Sequence, residues 1–359
     1  MDKAQLEHYL SRVFNQSVEL VRAERLGGGP GDVKEFGYGV PYLLEFKVSG
    51  EIKRAVLQTM KPDHFGHEHP ADRAQSLIWA YSAYSKLPRH VKALDLGVFT
   101  CDKELISLKN FEEFFLLVEK AEGREYWRDL EEIAERGHIV DLDRKRCKAL
   151  SDYLVEIHSV KSKEPELYVR RVRELIGHGE CIMGIIDNYP APTDFISREE
   201  FIELEKLCVE WRWRLKEKTY RLCRVHGDYH PWNVLFTHGT EFTVLDRSRG
   251  EFGEAADDVA AMTINYLFFS LRSKGRLEGG FEELYKLFIS NYLDRTGDEE
   301  LFKVIQPFYA WRALVIASPV WYPTLAKDVR KKLLNFAFNS LKTENFDPDK
   351  VNDYLEAST

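Results

Sequence analysis

The chain has 359 residues, of which 44% are hydrophobic and 31% are charged, and its formal net charge is −8. This composition is typical of a folded globular protein and excludes a largely disordered one. The net negative charge gives no indication of a basic surface that would bind nucleic acid. The five cysteines are widely spaced and form no CxxC pair, so neither a disulfide framework nor a zinc site is predicted. The N-terminus lacks the apolar core of a signal peptide, and no apolar run approaches the ~20 residues of a membrane span, so we expect a cytoplasmic protein that contacts no membrane.

The first part of the chain is predicted to form a helix followed by a small antiparallel sheet. A further helix is predicted over residues 71 to 86, because apolar side chains recur there at helical spacing after Pro70. The polar stretch from Glu119 to Gly123 is typical of a hinge. The strand candidates, which are rich in β-branched and aromatic residues, are 17–26, 41–48, 53–60, 94–99 and 114–118.

Beyond Gly123 the pattern changes to that of helices, with long candidates over residues 143–160 and 197–220 and again from 258 to about 341. One hairpin interrupts them. It is formed by residues 233–236 and 242–246, joined by a polar turn. The simplest architecture is of the α+β class, with a small N-terminal sheet lobe over residues 1–120, a hinge, and a larger, mainly helical C-terminal lobe over residues 121–359.

The strongest functional signal is the segment HGDYHPWN at residues 226–233, followed by Asp246 after the next strand. Asp228 and Asn233 stand five residues apart on one predicted loop, and the hairpin returns a second carboxylate. Phosphoryl transfer needs a carboxylate that orients the attacking hydroxyl, and it needs oxygen ligands for Mg²⁺. The spacing of these three side chains matches that requirement, whereas an isolated Asp and Asn on a loop would indicate only a turn.

This layout resembles that of the protein kinases, and its HGDxHPxN variant resembles the aminoglycoside phosphotransferase and choline kinase family of the protein-kinase-like fold. The segments 116–123, 148–160 and 253–260 resemble that family's hinge, its helix before the catalytic loop and its G-D-P-x-x-D-L-A segment. The resemblance covers roughly residues 20 to 270. It implies a two-lobed fold with an N-terminal nucleotide-binding lobe and a C-terminal lobe that carries catalysis and substrate binding.

The resemblance also implies a role for each matching residue. Asp228 would be the catalytic base, Asn233 and Asp246 would bind Mg²⁺, and His226 would brace the loop that Asp258 holds in place. The backbone of Glu119, Lys120 and Ala121 would contact the adenine or guanine. We expect His230 to be a loop or pocket residue rather than a metal ligand, because magnesium disfavours imidazole.

A glycine cluster at residues 27–31 lies between the first two predicted strands, where the family has a phosphate-binding loop. Backbone N–H groups at Gly28, Gly29 and Gly31 would close over the phosphates. The segment GGGPG does not follow the G-x-G-x-x-G pattern, however, and an ordinary flexible loop is the alternative.

The predicted third strand departs from the family pattern. Gln58 stands where kinases place the lysine that holds the α- and β-phosphates, and the following helix has no acidic residue between Arg73 and Lys86 to pair with it. Two interpretations remain open. Either Gln58, the glycine loop and the metal, with or without Lys34 or Lys61, hold the phosphates in an active enzyme, or the protein is a nucleotide-binding relative with weakened transfer.

A second departure follows Asp246, where the family commonly has an aromatic residue and this chain has Arg247, Ser248 and Arg249. We hypothesise that Arg249, with or without Arg247, contacts an acidic group of the substrate, since guanidinium groups pair well with phosphate and carboxylate. The alternative is that these arginines form salt bridges with Glu251, Glu254 or Asp257.

The predicted activity is that of a small-molecule kinase, which transfers the γ-phosphoryl group of ATP or GTP to a substrate hydroxyl with Mg²⁺. Three alternatives are a non-catalytic nucleotide-binding protein, a protein kinase and a plain helical interaction protein. A protein kinase would carry D-F-G and A-P-E motifs, and neither is present. The sequence leaves open the acceptor, the choice between ATP and GTP, and the oligomeric state.

Overall fold

The computed structural model describes residues 2–26, 39–86 and 88–357. The chain divides into two compact units, Met1–Val118 and Glu119–Thr359. The first unit comprises α1 Lys3–Phe14, β1 Val18–Arg25, β2 Gly39–Val48, β3 Glu51–Met60, α2 Pro70–Tyr84, β4 Gly97–Phe99 and β5 Leu105–Ser107. The second unit comprises β6 Arg124–Glu125, α3 Tyr126–Arg136, α4 Asp141–His158, α5 Pro165–Gly177, α6 Ile182–Asp187, α7 Arg198–Leu215, β7 Cys223–Arg224, β8 Val234–Phe236, β9 Phe242–Val244, β10 Phe252–Gly253, α8 Ala255–Lys274, α9 Gly279–Thr296, α10 Gln306–Ala317, α11 Lys327–Leu341 and α12 Val351–Tyr354.

The first unit is built on an antiparallel sheet of order β1-β2-β3. Strands β2 and β3 form the predicted hairpin, in which Val48 pairs with Glu51. The two turn residues, Ser49 and Gly50, have φ angles of 50° and 84°, and positive φ at both positions gives the turn a twist that suits a hairpin. Helix α1 covers one face of the sheet, and the core between them contains Leu6, Tyr9, Leu10, Val18, Leu20, Leu44, Phe46 and Val48.

Two strand predictions in the first unit were wrong in part or in full. The candidate at residues 94–99 is a strand only over Gly97–Phe99, where it pairs with β5. The candidate at residues 114–118 has no regular secondary structure. Its side chains are largely solvent-exposed, with Leu116 at 86%, and no described strand lies beside it. A strand is stable only when a neighbour takes up its backbone hydrogen bonds, so strand propensity alone did not decide the structure.

The second unit is mainly helical, which together with the sheet of the first unit confirms the predicted α+β class. Helix α8 runs through its centre and is buried on all sides from Asp258 to Leu271. Helix α4 packs against α9, where the Ser151 hydroxyl donates to the carbonyl of Phe288 over 3.0 Å. Helix α10 packs against α8, and the hydroxyls of Thr263 and Tyr309 share a hydrogen bond of 2.8 Å. These contacts set the positions of the α8 and α10 side chains that reach the site described below.

A small sheet of order β6-β8-β9 lies beside these helices. The residue before β6 is Gly123, with a φ of 143°, and a Cβ atom there would lie 2.9 Å from the Cβ atom of Leu235. Only glycine therefore fits where the chain passes against β8. No helix among the described residues has both the length and the apolar character that crossing a membrane requires.

Candidate active site

The segment between β7 and β8 contains the motif residues 226–233. The first turn of α8 contacts this segment through Asp258. Asp258 is fully buried. Its carboxylate accepts hydrogen bonds from the backbone N–H groups of His226, at 2.7 Å, and Gly227, at 2.8 Å. Gly227 has a φ of 86°, a conformation that glycine adopts at little cost. One buried carboxylate thus contacts two consecutive backbone N–H groups of the loop, and the bracing role of Asp258 stays a prediction.

Two buried histidines complete this support. His158, at the end of α4, hydrogen-bonds on both sides of its ring. Its Nδ1 atom lies 2.9 Å from the Tyr292 hydroxyl, and its Nε2 atom lies 3.1 Å from the Asp258 carboxylate. His226 accepts the backbone N–H of Asp228 through Nδ1 at 3.3 Å, and burial lowers its pKa. A neutral His226 can accept at Nδ1, as bracing of the loop needs.

The hairpin of β8 and β9 brings the two predicted metal ligands to the same end of the hairpin. Val234 pairs with Val244, and the N–H of Leu245 donates to the carbonyl of Asn233 over 2.9 Å. Asp246 follows directly, with a φ of 55°. Aspartate is among the few non-glycine residues that tolerate this left-handed conformation. The backbone thus places Asn233, which directly precedes β8, and Asp246, which lies two residues beyond β9, at the same end of the hairpin.

The side chains of these two residues have oxygens that remain available. The Asn233 amide donates through Nδ2 to the carbonyl of Asp228 over 3.1 Å, so its Oδ1 atom is the one left for a ligand. Asp246 is exposed and has no hydrogen bond or ion pair with any described residue. Among the described residues no group of three or more His, Cys, Asp or Glu side chains is placed to hold a metal ion. Carboxylate and amide oxygens nevertheless suit Mg²⁺, which keeps several waters and phosphate oxygens as its other ligands.

Asp228 is engaged by an arginine from α10. Nη1 of Arg312 donates to Oδ1 of Asp228 over 2.5 Å, and Nη2 donates to the carbonyl of Gly227 over 3.1 Å. On the other side, Nε2 of His230 lies 3.4 Å from Oδ2 of Asp228. Burial raises the pKa of Asp228, but the attraction of Arg312, followed by that of His230 and Arg249, outweighs it and holds this pKa well below the usual range. Asp228 is therefore ionised at neutral pH.

Arg312 also connects Asp228 to Asp257 on α8. Nη2 of Arg312 donates to Oδ1 of Asp257 over 2.7 Å, and the guanidinium lies 3.9 Å from the centre of the Trp311 ring. Burial raises the pKa of Asp257 to about 6, because it outweighs the attraction of Arg312. One buried cation thus holds two carboxylates in fixed positions.

The arginines that follow Asp246 have partners other than those predicted. Arg247 donates to the carbonyls of Val225 and Glu251, at 3.0 and 2.9 Å through Nη2. Arg249 lies 3.5 Å from the carboxylate of Glu180. The expected salt bridges to Glu251, Glu254 or Asp257 were wrong, because those three carboxylates pair with Arg224, Arg221 and Arg312, respectively.

The predicted nucleotide contacts lie away from this loop in sequence, and their roles remain predictions. Gln58 lies in β3, where its side-chain oxygen accepts the hydroxyl of Tyr84 from α2 over 3.1 Å. Glu119 and Lys120 are exposed and Ala121 is half-buried, and Lys120 pairs with Glu122 at 2.7 Å. Gly28, Gly29, Gly31 and Lys34 lie outside the described residues.

Comparison with protein families decides the classification. The sequence pattern of the family described as "APH: Phosphotransferase enzyme family" matches residues 89–284, which is more than half of the chain. The chain belongs to this phosphotransferase family. The matched region contains the motif at residues 226–233 together with Asp246 and Asp258. No curated protein is significantly similar to the chain.

Solved structures that resemble this member of the phosphotransferase family share little sequence with it. A choline kinase from Cryptosporidium parvum has 12% identity and a TM-score of 0.35, with 93% of this chain and 85% of that chain covered. The choline kinase LicA from Streptococcus pneumoniae has 11% identity and a TM-score of 0.35, with coverage of 94% and 97%. An amicoumacin kinase in complex with AMP-PNP, Ca²⁺ and Ami has 15% identity and a TM-score of 0.42, with coverage of 92% and 91%.

Sequence reasoning missed Arg312, the closest cationic partner of Asp228 in this phosphotransferase. It lies 84 residues from Asp228 along the chain, in a segment that was predicted only to be helical. Its partner Asp257 stands beside the predicted Asp258, but the sequence alone did not distinguish their roles. Arg312 lies in no motif, and Asp257 stands at a position that the motif of residues 253–260 leaves unspecified.

Proposed function

We propose that the protein is a small-molecule kinase that transfers the γ-phosphoryl group of ATP or GTP to a hydroxyl group with the help of Mg²⁺. The observation that carries the proposal is the placement of Asn233 and Leu245 side by side. This placement brings Asp246 to the loop on which Asp228 is held. A base and two oxygen ligands for a metal on adjacent backbone segments is what phosphoryl transfer needs.

The donor set fits magnesium. Asn233 would bind the ion through Oδ1 and Asp246 through its carboxylate. When bound, Mg²⁺ would neutralise charge on the nucleotide phosphates. His230 is not proposed as a ligand, because its Nε2 atom faces Asp228 and imidazole suits magnesium poorly.

The proposed reaction assigns one task to each group near Asp228. Oδ2 of Asp228, the oxygen that faces His230 rather than Arg312, accepts a hydrogen bond from the acceptor hydroxyl. The oxygen of that hydroxyl then attacks the γ-phosphorus. A new O–P bond forms while the bond between the γ-phosphorus and the β–γ bridging oxygen breaks, and the nucleoside diphosphate leaves with the electron pair. The low pKa of Asp228 makes it better suited to orient the hydroxyl and to accept the proton late in the step than to remove it beforehand.

Nucleotide recognition is proposed on the residues predicted from the sequence. These are Gly28, Gly29 and Gly31 over the phosphates, Gln58 in place of the usual lysine, and the backbone of Glu119, Lys120 and Ala121 at the base. Because Gln58 is a neutral side chain already bonded to Tyr84, a nucleotide-binding protein with weakened transfer is retained as the second candidate.

A turnover assay separates the two candidates. Purified protein is incubated with Mg²⁺ and either ATP or GTP over a library of alcohols, sugars, amino sugars and choline-like compounds, and nucleoside diphosphate release is measured. Turnover with at least one acceptor that is lost in Asp228→Asn supports the kinase. Binding of the nucleotide without turnover for any acceptor would favour the weakened alternative.

A further inference from the structure

Arg249 is the one cation near the proposed catalytic loop whose hydrogen-bonding capacity is largely unused within the described part of the chain. Its Nη1 atom donates only to the Cys181 sulfur, a weak acceptor, over 3.7 Å, and its Nε atom is buried and has no hydrogen-bond partner there. The side chain as a whole keeps 25% of its surface exposed. By contrast, Arg247 is bonded to two carbonyls, and Arg312 is bonded to two carboxylates. Arg249 therefore retains donors for a group that comes from solvent.

The ion pair of Arg249 with Glu180 is weak. The two groups are 3.5 Å apart, and the Glu180 side chain is 65% exposed. Solvent-exposed pairs of this kind typically contribute less than ~1 kcal/mol. An incoming anion can therefore replace Glu180 at little cost.

The Arg249 side chain packs on Trp311 and begins beside Gly227 of the catalytic loop. The guanidinium lies 4.7 Å from the centre of the Trp311 ring, and the indole N–H of Trp311 donates to the carbonyl of Glu180 over 3.1 Å. A Cβ atom at Gly227 would lie only 3.1 Å from the Cβ atom of Arg249. A guanidinium supported by an aromatic ring is pre-organised, so little side-chain entropy is lost when it binds a ligand.

We propose that Arg249 binds an anionic group, carboxylate or phosphate, of the acceptor alcohol. A guanidinium presents two parallel N–H groups that match the two oxygens of such an anion. Because Gly227 directly precedes Asp228, an acceptor held this way has its charged end at Arg249 and its hydroxyl near Asp228. This inference rests on the proposed kinase function and narrows its acceptor to hydroxy acids and phosphorylated alcohols.

Binding measurements test the inference without requiring turnover. Affinities are measured by calorimetry for matched pairs of anionic and neutral alcohols, such as glycerol 3-phosphate with glycerol and glucuronate with glucose, and for inorganic phosphate. The wild type is compared with Arg249→Met. Arg144→Met is the charge-matched control, because Arg144 is an exposed arginine paired with Glu283. Melting temperatures establish that each variant is folded.

We expect the wild type to bind the anionic members at least about tenfold more tightly than the neutral members, and Arg249→Met to lose that preference while Arg144→Met keeps it. Equal affinity for charged and neutral members in the wild type would overturn the proposal, as would an unchanged preference in Arg249→Met.

Two further measurements distinguish an anion on the acceptor from the phosphoryl group of the nucleotide, and failure of the kinase proposal from failure of the anion site. If Arg249→Met weakens binding of magnesium AMP-PNP but not of glycerol 3-phosphate, the residue contacts the transferred phosphoryl group, and the acceptor assignment is wrong. If no alcohol is phosphorylated but anions bind to the wild type and not to Arg249→Met, the kinase function fails while the anion site stands.

Discussion

Nη1 of Arg312 donates to Oδ1 of Asp228 over 2.5 Å, and Nη2 of the same guanidinium donates to Asp257 over 2.7 Å. The carboxylate proposed as the catalytic base is thus held through Oδ1 by Arg312, while its Oδ2 atom lies 3.4 Å from Nε2 of His230. Because the second carboxylate comes from α8, the orientation of Asp228 depends on the packing of α10 against α8.

Replacement of Arg312 should damage both stability and turnover. Arg312→Met leaves two carboxylates without their shared cation, and breaking a buried ion pair from one side typically costs ~3 to 5 kcal/mol. We expect a lower free energy of unfolding in urea and a kcat reduced at least ~10-fold, since a misplaced catalytic group can cost that much or more.

Arg312→Lys separates the two effects. It retains the charge but cannot bridge both carboxylates through a planar fork, so we expect it to recover most of the stability and little of the turnover. Full recovery of kcat in Arg312→Lys would show that Arg312 contributes only its charge.

Asp228→Asn should abolish most turnover while the fold is retained. The amide is nearly the same size but accepts a proton poorly, and loss of a positioned base typically lowers the rate ~10²- to 10⁴-fold. Steady-state kinetics and the melting temperature check this prediction. A variant that binds the magnesium nucleotide and turns over at the wild-type rate would remove Asp228 from the proposed reaction.

Asp246→Asn tests the metal site with little disturbance of the backbone. Asparagine tolerates the left-handed conformation at this position as well as aspartate does, so the variant removes mainly the negative charge. We expect magnesium-dependent turnover to fall at least ~10²-fold, and the magnesium-dependent part of the nucleotide-induced rise in melting temperature to shrink. An unchanged rise would argue against metal binding at Asp246.

Asp258→Asn should destabilise the protein. The carboxylate accepts two backbone N–H groups and faces His158, whereas an amide must turn its NH₂ group toward one of these donors. Leaving a buried donor unpaired costs ~1 to 3 kcal/mol, and more where a charge is involved. Urea unfolding checks this loss, with Asp141→Asn as the control, because the Asp141 side chain is 90% exposed and its replacement should change stability by less than ~0.5 kcal/mol.

The ionisation of Asp228 predicts a pH dependence of stability in the metal-free protein. Because Arg312 holds its folded-state pKa below the ordinary value of 3.8, the resulting contribution to stability is present above the unfolded-state pKa and is lost as the pH falls. The difference in unfolding free energy between wild type and Asp228→Asn should be constant above about pH 5 and shift against the wild type below about pH 4. A shift in its favour on acidification would contradict the assigned direction.

Local patterns predicted the parts of the fold in which neighbouring residues decide the structure. The hairpin at Ser49 and Gly50 and the hairpin that carries Asn233 to Asp246 both follow from short turns between strands. The family resemblance pointed to Asp258, which accepts two backbone N–H groups of the loop, and its bracing role stays a prediction. In each case the interacting residues are close in sequence or belong to segments that the family resemblance had already matched.

Features that depend on distant packing could not be predicted. Arg312 lies in a helix whose apolar neighbours mask its role, and only the fold brings it to Asp228. The strand predicted over residues 114 to 118 failed for the opposite reason. Its composition favours a strand, but none of the strands in the described part of the chain lies beside it. The salt-bridge partner of Arg249 is Glu180, which belongs to a different part of the second unit.

The position of Arg312 beyond residue 284 has a consequence for how relatives of this protein should be sorted. A homologue could retain every signature residue of the matched region and yet have a methionine or alanine at this place in α10. Sequence surveys that score only the signature would count it as competent. The C-terminal helices should therefore be inspected before any such relative is assigned an activity.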